Sequence, residues 1–300
     1  MLDANAKLPA VDGSQLTNIS GNSTSFRNLF INGSLAIQQR GTSFSGSPFT
    51  GAYTADRWRF DRSGSGATSI AISADTNYGG AYKATITAAM AAGEIADFKQ
   101  RIPSDRTVGL SGNAVTVSFW AALAPSTGST AFSVVLTYPT ATDNYTSETL
   151  ISSTAVTLTT TPTLYTVTFT GLPAGVANGL SVAFRMGQSG ATGSPALSLG
   201  SLQIEKGTVA TSFERLPIGQ ELFLSQRFYN FIGPVSLFAN SGSFAGFSFS
   251  YPTMRTIPTI TTSGWLSVCA QSVSQSVFSG ILNPQGPLTT SASFTASAEL

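Results

Sequence analysis

Val115-Thr116-Val117-Ser118-Phe119-Trp120 alternates apolar with hydroxyl or amphipathic side chains at a period of two. A β-strand turns successive side chains to opposite faces, so Val115, Val117 and Phe119 share one face while Thr116, Ser118 and Trp120 share the other. The same alternation recurs downstream: Phe132, Val134, Leu136 and Tyr138 interleave with Ser133, Val135 and Thr137, and Leu180, Val182, Phe184 and Met186 with Ser181, Ala183 and Arg185. Tyr165, Val167 and Phe169 extend the pattern. Ile70 with Ile72, Tyr82 with Ala84 and Ile86, and Ile95 to Arg101 supply further strands. Pro125 to Gly128, Gly171-Leu172-Pro173 and Gly187 to Pro195 punctuate the series as turns. Leu197 and Leu199 hold one phase and Leu202 and Ile204 the other, so a bulge at Gly200-Ser201 is expected to restore one apolar face. Many short strands without alternating helices predict an all-β chain built on a jelly-roll-like antiparallel β-sandwich over residues 26–215.

Composition narrows the chemistry. His is absent and Cys269 is the single cysteine, which removes the usual neutral-pH general base, the commonest metal ligand and any intrachain disulfide. In its apolar-flanked stretch Cys269 reads as a small hydrophobe. Charged residues make up 10% of the chain, against roughly 25% in typical domains, and the net charge is +1. So weak a field favours neither nucleic acid nor an anionic membrane surface as partner. No run approaches the roughly 18 apolar residues of a membrane span, and Met1 to Ala6 lack the basic start and apolar run of a signal peptide. Synthesis in a cytoplasm without membrane insertion, and release by another route such as lysis, is the expectation. No cofactor is implied.

The flanks differ from the middle. Residues 1–25 place Leu2, Leu8, Val11, Leu16 and Ile19 among polar and turn-forming residues without a clean period, which reads as an extended attachment arm that orders by docking on something else. A connecting helix is expected over 216–230, with Pro217 at an early helical position. Its apolar residues, Ile218, Leu222 and Phe228 among them, wrap most of the way round, so flanking domains or other copies of the chain must cover it. Strand signals return over 231–300, as in Phe247, Phe249 and Tyr251, and predict a small C-terminal β-domain.

Leu2-Asp3-Ala4-Asn5-Ala6-Lys7-Leu8-Pro9-Ala10-Val11-Asp12-Gly13 and the residues to Asn18 closely resemble a short segment of tailed-bacteriophage fibre and virion proteins. Asn28 to Arg40 with Tyr53-Thr54-Ala55-Asp56-Arg57-Trp58 look like the opening of the carbohydrate-binding-module-like sandwich of phage tail fibres. Leu202 to Gly207 through Thr211-Ser212-Phe213-Glu214-Arg215 resemble its closing strand. Ser225 to Tyr229 and Tyr251 to Thr259 are similar to the helix and C-terminal domain that follow it. The ordered set covers nearly the whole chain. The resemblance implies a virion protein, a tail fibre or receptor-binding protein. It further implies a trimer, host-surface polysaccharide as partner, and contact with other virion proteins through the arm. The alternatives are a passive head-fibre, baseplate or decoration protein, and a glycan depolymerase.

Glycan recognition asks for aromatic rings to stack on sugar faces beside hydrogen-bonding groups. The candidates are Trp120, on the polar face of its strand; Tyr53, Asp56 and Trp58; and Tyr251 and Trp265 in the terminal domain. For Trp120 the weight falls on contact with a covering loop or subunit, and for Tyr53, Asp56 and Trp58 on a core Trp beside a local ion pair. A depolymerase needs two carboxylates about 5 to 9.5 Å apart. Asp56 with Asp61 is the nearest pair, with Asp97 or Asp105 as distant additions; Arg57, Arg59 and Arg62 read instead as salt-bridge partners, so catalysis is not expected.

Overall fold

The computed structural model describes residues 26–124, 126–236, 245–263, 268–282 and 291–300. The expected arm with Leu2, Leu8, Val11, Leu16 and Ile19 lies outside the described residues, as do Trp265 and the side chain of Cys269.

The strands of the first unit are β1 (Ser43–Gly46), β2 (Ala52–Tyr53), β3 (Arg59–Arg62), β4 (Thr68–Ala74), β5 (Tyr82–Ala88) and β6 (Ile95–Ile102). The short helix α1 (Ser104–Thr107) separates them from β7 (Val115–Ala124), β8 (Ser129–Ala141), β9 (Asn144–Ala155), β10 (Thr163–Phe169), β11 (Leu180–Ser189) and β12 (Ala196–Lys206). They form two six-stranded antiparallel sheets, ordered β1-β4-β5-β12-β7-β10 and β2-β3-β6-β11-β8-β9. From β6 to β12 the chain crosses repeatedly between sheets, as in a jelly roll. The faces follow the sequence phase: Val115, Val117 and Phe119 of β7 meet Phe132, Val134 and Leu136 of β8 and Val182, Phe184 and Met186 of β11 in one core. The register of β12 on β7 shifts between Gly200 and Gln203, and Leu197, Leu199, Leu202 and Ile204 all reach that core. The bulge expected at Gly200-Ser201 does what the change of phase requires.

Trp58 is the largest side chain enclosed in the sandwich. Its ring stacks on Phe98 at 5.0 Å and 4°, with Phe30 at 5.1 Å and Phe184 at 6.2 Å, and its indole N–H donates to the Asn32 carbonyl at 2.8 Å. A tight turn, with Arg57 at φ 71°, drives the ring inward: Trp58 N–H donates to Ala55, and Thr54 N–H donates back to Trp58. The segment after β12 returns to the start of the sandwich, where the Glu214 carboxylate accepts the amides of Phe26 and Asn28 at 2.7 and 2.8 Å.

Helix α2 (Ile218–Gln226) follows. It is shorter than the expected 216–230 because Tyr229 and Asn230 are drawn into β13 (Tyr229–Ser236), where they pair with Ser297 and Ala296. Its inward residues are the polar Glu221 and Ser225, while Ile218 and Phe223 are 62% and 53% exposed. The C-terminal unit adds β14 (Ala245–Ser250), β15 (Thr259–Ser263), β16 (Val268–Val273), β17 (Val277–Leu282) and β18 (Ser291–Ser297), in three-stranded sheets ordered β13-β18-β15 and β14-β17-β16. Tyr251, Met254, Phe278, Phe294, Ala296 and Ala298 form its core.

Replacing the enclosed Trp58 with Ala removes both the stack and the indole hydrogen bond. Denaturant unfolding should record a loss of about 3–5 kcal/mol; a loss of less than about 1 kcal/mol would show that the sandwich does not rest on this ring.

Candidate functional site

The motif Tyr53 to Trp58 dissolves into structure when its partners are traced. Trp58 is core and has no face for a sugar. Asp56 is fully enclosed, its carboxylate held by the Gln39 amide at 2.7 Å and by Arg40 at 2.9 Å. Arg40 also reaches Glu299 at 3.0 Å, and the same Glu299 carboxylate pairs closely with Arg57. The Arg57 guanidinium lies 3.6 Å over the Phe228 ring and that of Arg40 3.5 Å over Tyr229. Tyr53 donates its hydroxyl to the Leu300 carbonyl at 2.7 Å, and Arg101 donates to the same oxygen at 2.6 Å. These side chains form a clamp in which the sandwich grips β13 and the residues after β18. Burial pushes the Asp56 carboxyl up to about 6, although Arg40 and the Gln39 amide pull it down, and Glu299 adds to the rise. The glycan roles expected of Asp56 and Trp58 are corrected by this burial, and the hydroxyl of the half-buried Tyr53 is spent on Leu300.

The candidate acids are taken up by cations, although Asp61 and Asp97 stand directly opposite each other on β3 and β6. Asp61 lies beside Arg59 at 3.0 Å and Lys99 at 2.9 Å; burial opposes ionisation there, but the two cations hold the carboxyl below its ordinary range. Asp97 is engaged by Arg185 through two bonds of 2.7 Å, and Asp105 sits by Arg227 at 3.5 Å. Among the described residues, no group of three or more Asp, Glu or Cys is arranged to hold a metal ion.

Trp120 stands on the outer face of its sheet, as its phase indicates, opposite Leu164 and Gly200. A covering turn meets it: a Cβ on Gly79 would lie 2.3 Å from the indole nitrogen. Gly79 sits at φ +67° and its carbonyl accepts from Arg215 at 2.6 Å, so the turn is pinned where only glycine fits. Tyr251 is 6% exposed in the C-terminal core and donates its hydroxyl to Ser274 at 2.8 Å, which removes it from a ligand surface. Of the residues expected at subunit contacts, Ile218 is exposed, Leu222 is half-buried, and Phe228 is 1% exposed beneath Arg57, so Phe228 serves contact within the chain.

An opening of another kind lies at the side of the sandwich where β9 and β10, the terminal strands of the two sheets, come together. Tyr138 stands opposite Thr149, Leu136 opposite Ser152 and Val134 opposite Thr154. Leu136 and Val134 point into the core, and residues directly opposite on paired strands share a face, so Ser152 and Thr154 turn half-buried hydroxyls toward that side, next to Ile151, which packs on the core. A register shift between Leu136 and Thr137 turns Leu150 outward, where it is 60% exposed. The result is a groove of about 540 Å³ lined by Tyr138, Thr149, Ser152, Thr154, Thr168 and Phe169, among others. Its volume falls within the roughly 300–1,000 Å³ of small-molecule sites. The half-buried Tyr138 ring rests on the Gly175 backbone, where a Cβ would come within 2.1 Å of it. One aromatic ring among hydroxyls, beside two strand edges that face no further strand, can stack on a sugar and bond its hydroxyls.

The sequence reading did not find this groove. Tyr138 appears there as a strand residue, but β9 carries too few apolar side chains for alternation to reveal it. The available signal was the hydroxyl-rich stretch Thr149-Leu150-Ile151-Ser152-Ser153-Thr154 between two apolar strands.

No protein-family model matches the chain, and comparison with curated proteins returns no match. Solved structures show distant likeness. The enzymatically active domain of tailspike protein 4 of bacteriophage CBA120 is 14% identical over 60% of this chain and 21% of that one, with a TM-score of 0.39. A CBM4 structure is 18% identical over 58% and 97%, at 0.35. The CBM22-1 xylan-binding domain of Paenibacillus barcinonensis Xyn10C is 15% identical over 56% and 95%, also at 0.35. The matched part of the chain spans about a fifth of the tailspike domain's length. At these identities and scores the likeness assigns no function.

The raised Asp56 carboxyl gives a signed pH test. A folded-state value of about 6 against an ordinary 3.8 means that the folded chain holds this proton more tightly than the unfolded one. Its contribution to stability is therefore full below about 4 and is lost as pH rises through 6. The melting temperature of the parent relative to Asp56→Asn should fall between pH 4 and pH 6 and level off above about 7. A difference independent of pH would mean that Asp56 titrates normally.

Proposed function

We propose that the chain is a glycan-binding adhesion protein of a bacteriophage particle, a tail fibre or receptor-binding protein that holds host-surface polysaccharide in the groove between β9 and β10. The single observation that carries this reading is the groove beside Tyr138, where the hydroxyls of Thr149, Ser152 and Thr154 share the lining with the ring and with Leu150 and Ile151. Hydroxyls and an aromatic ring match the two halves of a sugar surface, its O–H groups and its C–H face. The virion context rests on the ordered sequence resemblance, and the expected arm is its attachment segment.

The reading includes no bond breaking. No acid lines the groove, and Asp56, whose carboxyl is raised toward neutrality, is enclosed under Arg40. A depolymerase would need two accessible carboxylates on opposite sides of a sugar. Self-association as a trimer is part of the proposal and is supported by α2, which turns Glu221 and Ser225 inward and leaves Ile218 and Phe223 to solvent, an orientation suited to apolar contact with other copies.

Immobilised bacterial polysaccharides should retain the purified protein without release of reducing ends. Thr149→Ala with Ser152→Ala should weaken retention about tenfold, equivalent to about 1.4 kcal/mol, while leaving the melting temperature near that of the parent. Retention unchanged by these substitutions would remove the groove from the account, and glycan cleavage abolished by replacing an acidic residue would replace adhesion with catalysis. Native mass spectrometry should show three copies, reduced to one by Ile218→Asp with Phe223→Asp; a monomeric parent would refute the trimer.

A further inference from the structure

From the charge distribution around the edge groove we infer that its ligand is an uncharged glycan, in preference to the uronic-acid, sialic-acid or phosphate-bearing polysaccharides that also coat bacteria. This rests on the groove being a glycan site. Its lining contains no Asp, Glu, Lys or Arg. The elements that build it repeat that neutrality: β8, β10 and the turn Ala174–Asn178 carry no ionisable acid or base other than tyrosine.

The charges nearby are committed elsewhere. Glu148, the one charged residue of β9, pairs with Arg101 at 3.3 Å and Lys99 at 3.8 Å and takes the Thr137 hydroxyl, all away from the groove lining. Asp143, just before β9, accepts the Ser104 amide at 2.8 Å and faces Arg255 at 3.5 Å. On β11, next to β8, Arg185 donates from Nε and Nη2 to the two carboxylate oxygens of Asp97.

An acidic sugar entering the groove would surrender water around its carboxylate and find no cation to replace it, a net cost. A neutral sugar gives up only hydroxyl hydration, and Thr149, Ser152 and Thr154 offer both donors and acceptors in exchange. Binding of this kind has little long-range electrostatic component, so it should respond weakly to salt.

The test uses the full chain against two sets of probes, neutral (dextran, mannan, galactan) and acidic (alginate, polysialic acid), with affinities measured between about 0.05 and about 0.5 M NaCl, a range over which exposed charge interactions are strongly screened. The expected result is binding to at least one neutral glycan that changes less than twofold across that range, with weaker or no binding to the acidic set. Thr168→Lys, at an exposed position, should shift preference toward the acidic probes while preserving the circular dichroism spectrum. Preferential, salt-sensitive binding of acidic probes by the parent would overturn the inference yet leave a glycan-binding protein. Failure to bind either set would overturn the reading beneath it. Neutral binding indifferent to Thr168→Lys and to Leu150→Asp would place the ligand elsewhere and also overturn the inference.

Discussion

Two β-sheets stacked face to face exclude water only where both inner faces are apolar, and in this sandwich the condition holds everywhere but at one side. Across β7, β8, β11 and β12 the inward residues are Val, Leu, Ile, Met and Phe around the buried Trp58 and Phe98. At β9 Ile151 still packs on the core, but Ser152 and Thr154 stand where hydrocarbon would be, opposite Leu136 and Val134. Sealing that side would bury hydroxyls without assured partners, at a cost comparable to the gain from closing it. The groove is therefore a consequence of sequence acting through packing. The shift of register at Leu136 and Thr137 adds to it by letting β9 bend away from its neighbour.

The opposite kind of economy operates where the C-terminal unit meets the sandwich. In a chain with few charges, Arg40, Arg57, Arg101, Asp56 and Glu299 are gathered at one junction, with Arg57 stacked on Phe228 and Arg40 on Tyr229. Buried ion pairs contribute modest net stability but punish any arrangement that leaves a member alone, so they specify geometry. The clamp fixes where β13 and β18 lie against the sandwich and leaves the groove between β9 and β10 lined by neutral residues.

Alternation at β7, β8 and β11, and the slipped phase of Leu197, Leu199, Leu202 and Ile204, made the sandwich and even its bulge legible in the sequence, because inner strands must present one apolar face. The edge strand β9 was not legible, since a strand half bathed in water carries no such obligation. The Tyr53 to Trp58 motif shows the other failure. Its residue types suit sugar binding, yet Arg57 at positive φ turns Trp58 into the core, and only tertiary contacts reveal what the others do, Asp56 with Gln39 and Arg40, Arg57 with Glu299, and Tyr53 with Leu300. For α2, the wrapped apolar pattern concealed which side faced home; the contact of Glu221 with the Asn32 amide decides it.

The most direct measurement is backbone and methyl NMR of the labelled protein titrated with a neutral bacterial polysaccharide fragment. The account predicts shifts concentrated at Thr149 to Thr154, Thr168 and the Tyr138 ring, with Trp120 and the Asp56 clamp silent. Shifts centred on Trp120 and the Gly79 turn, with β9 and β10 unmoved, would contradict it.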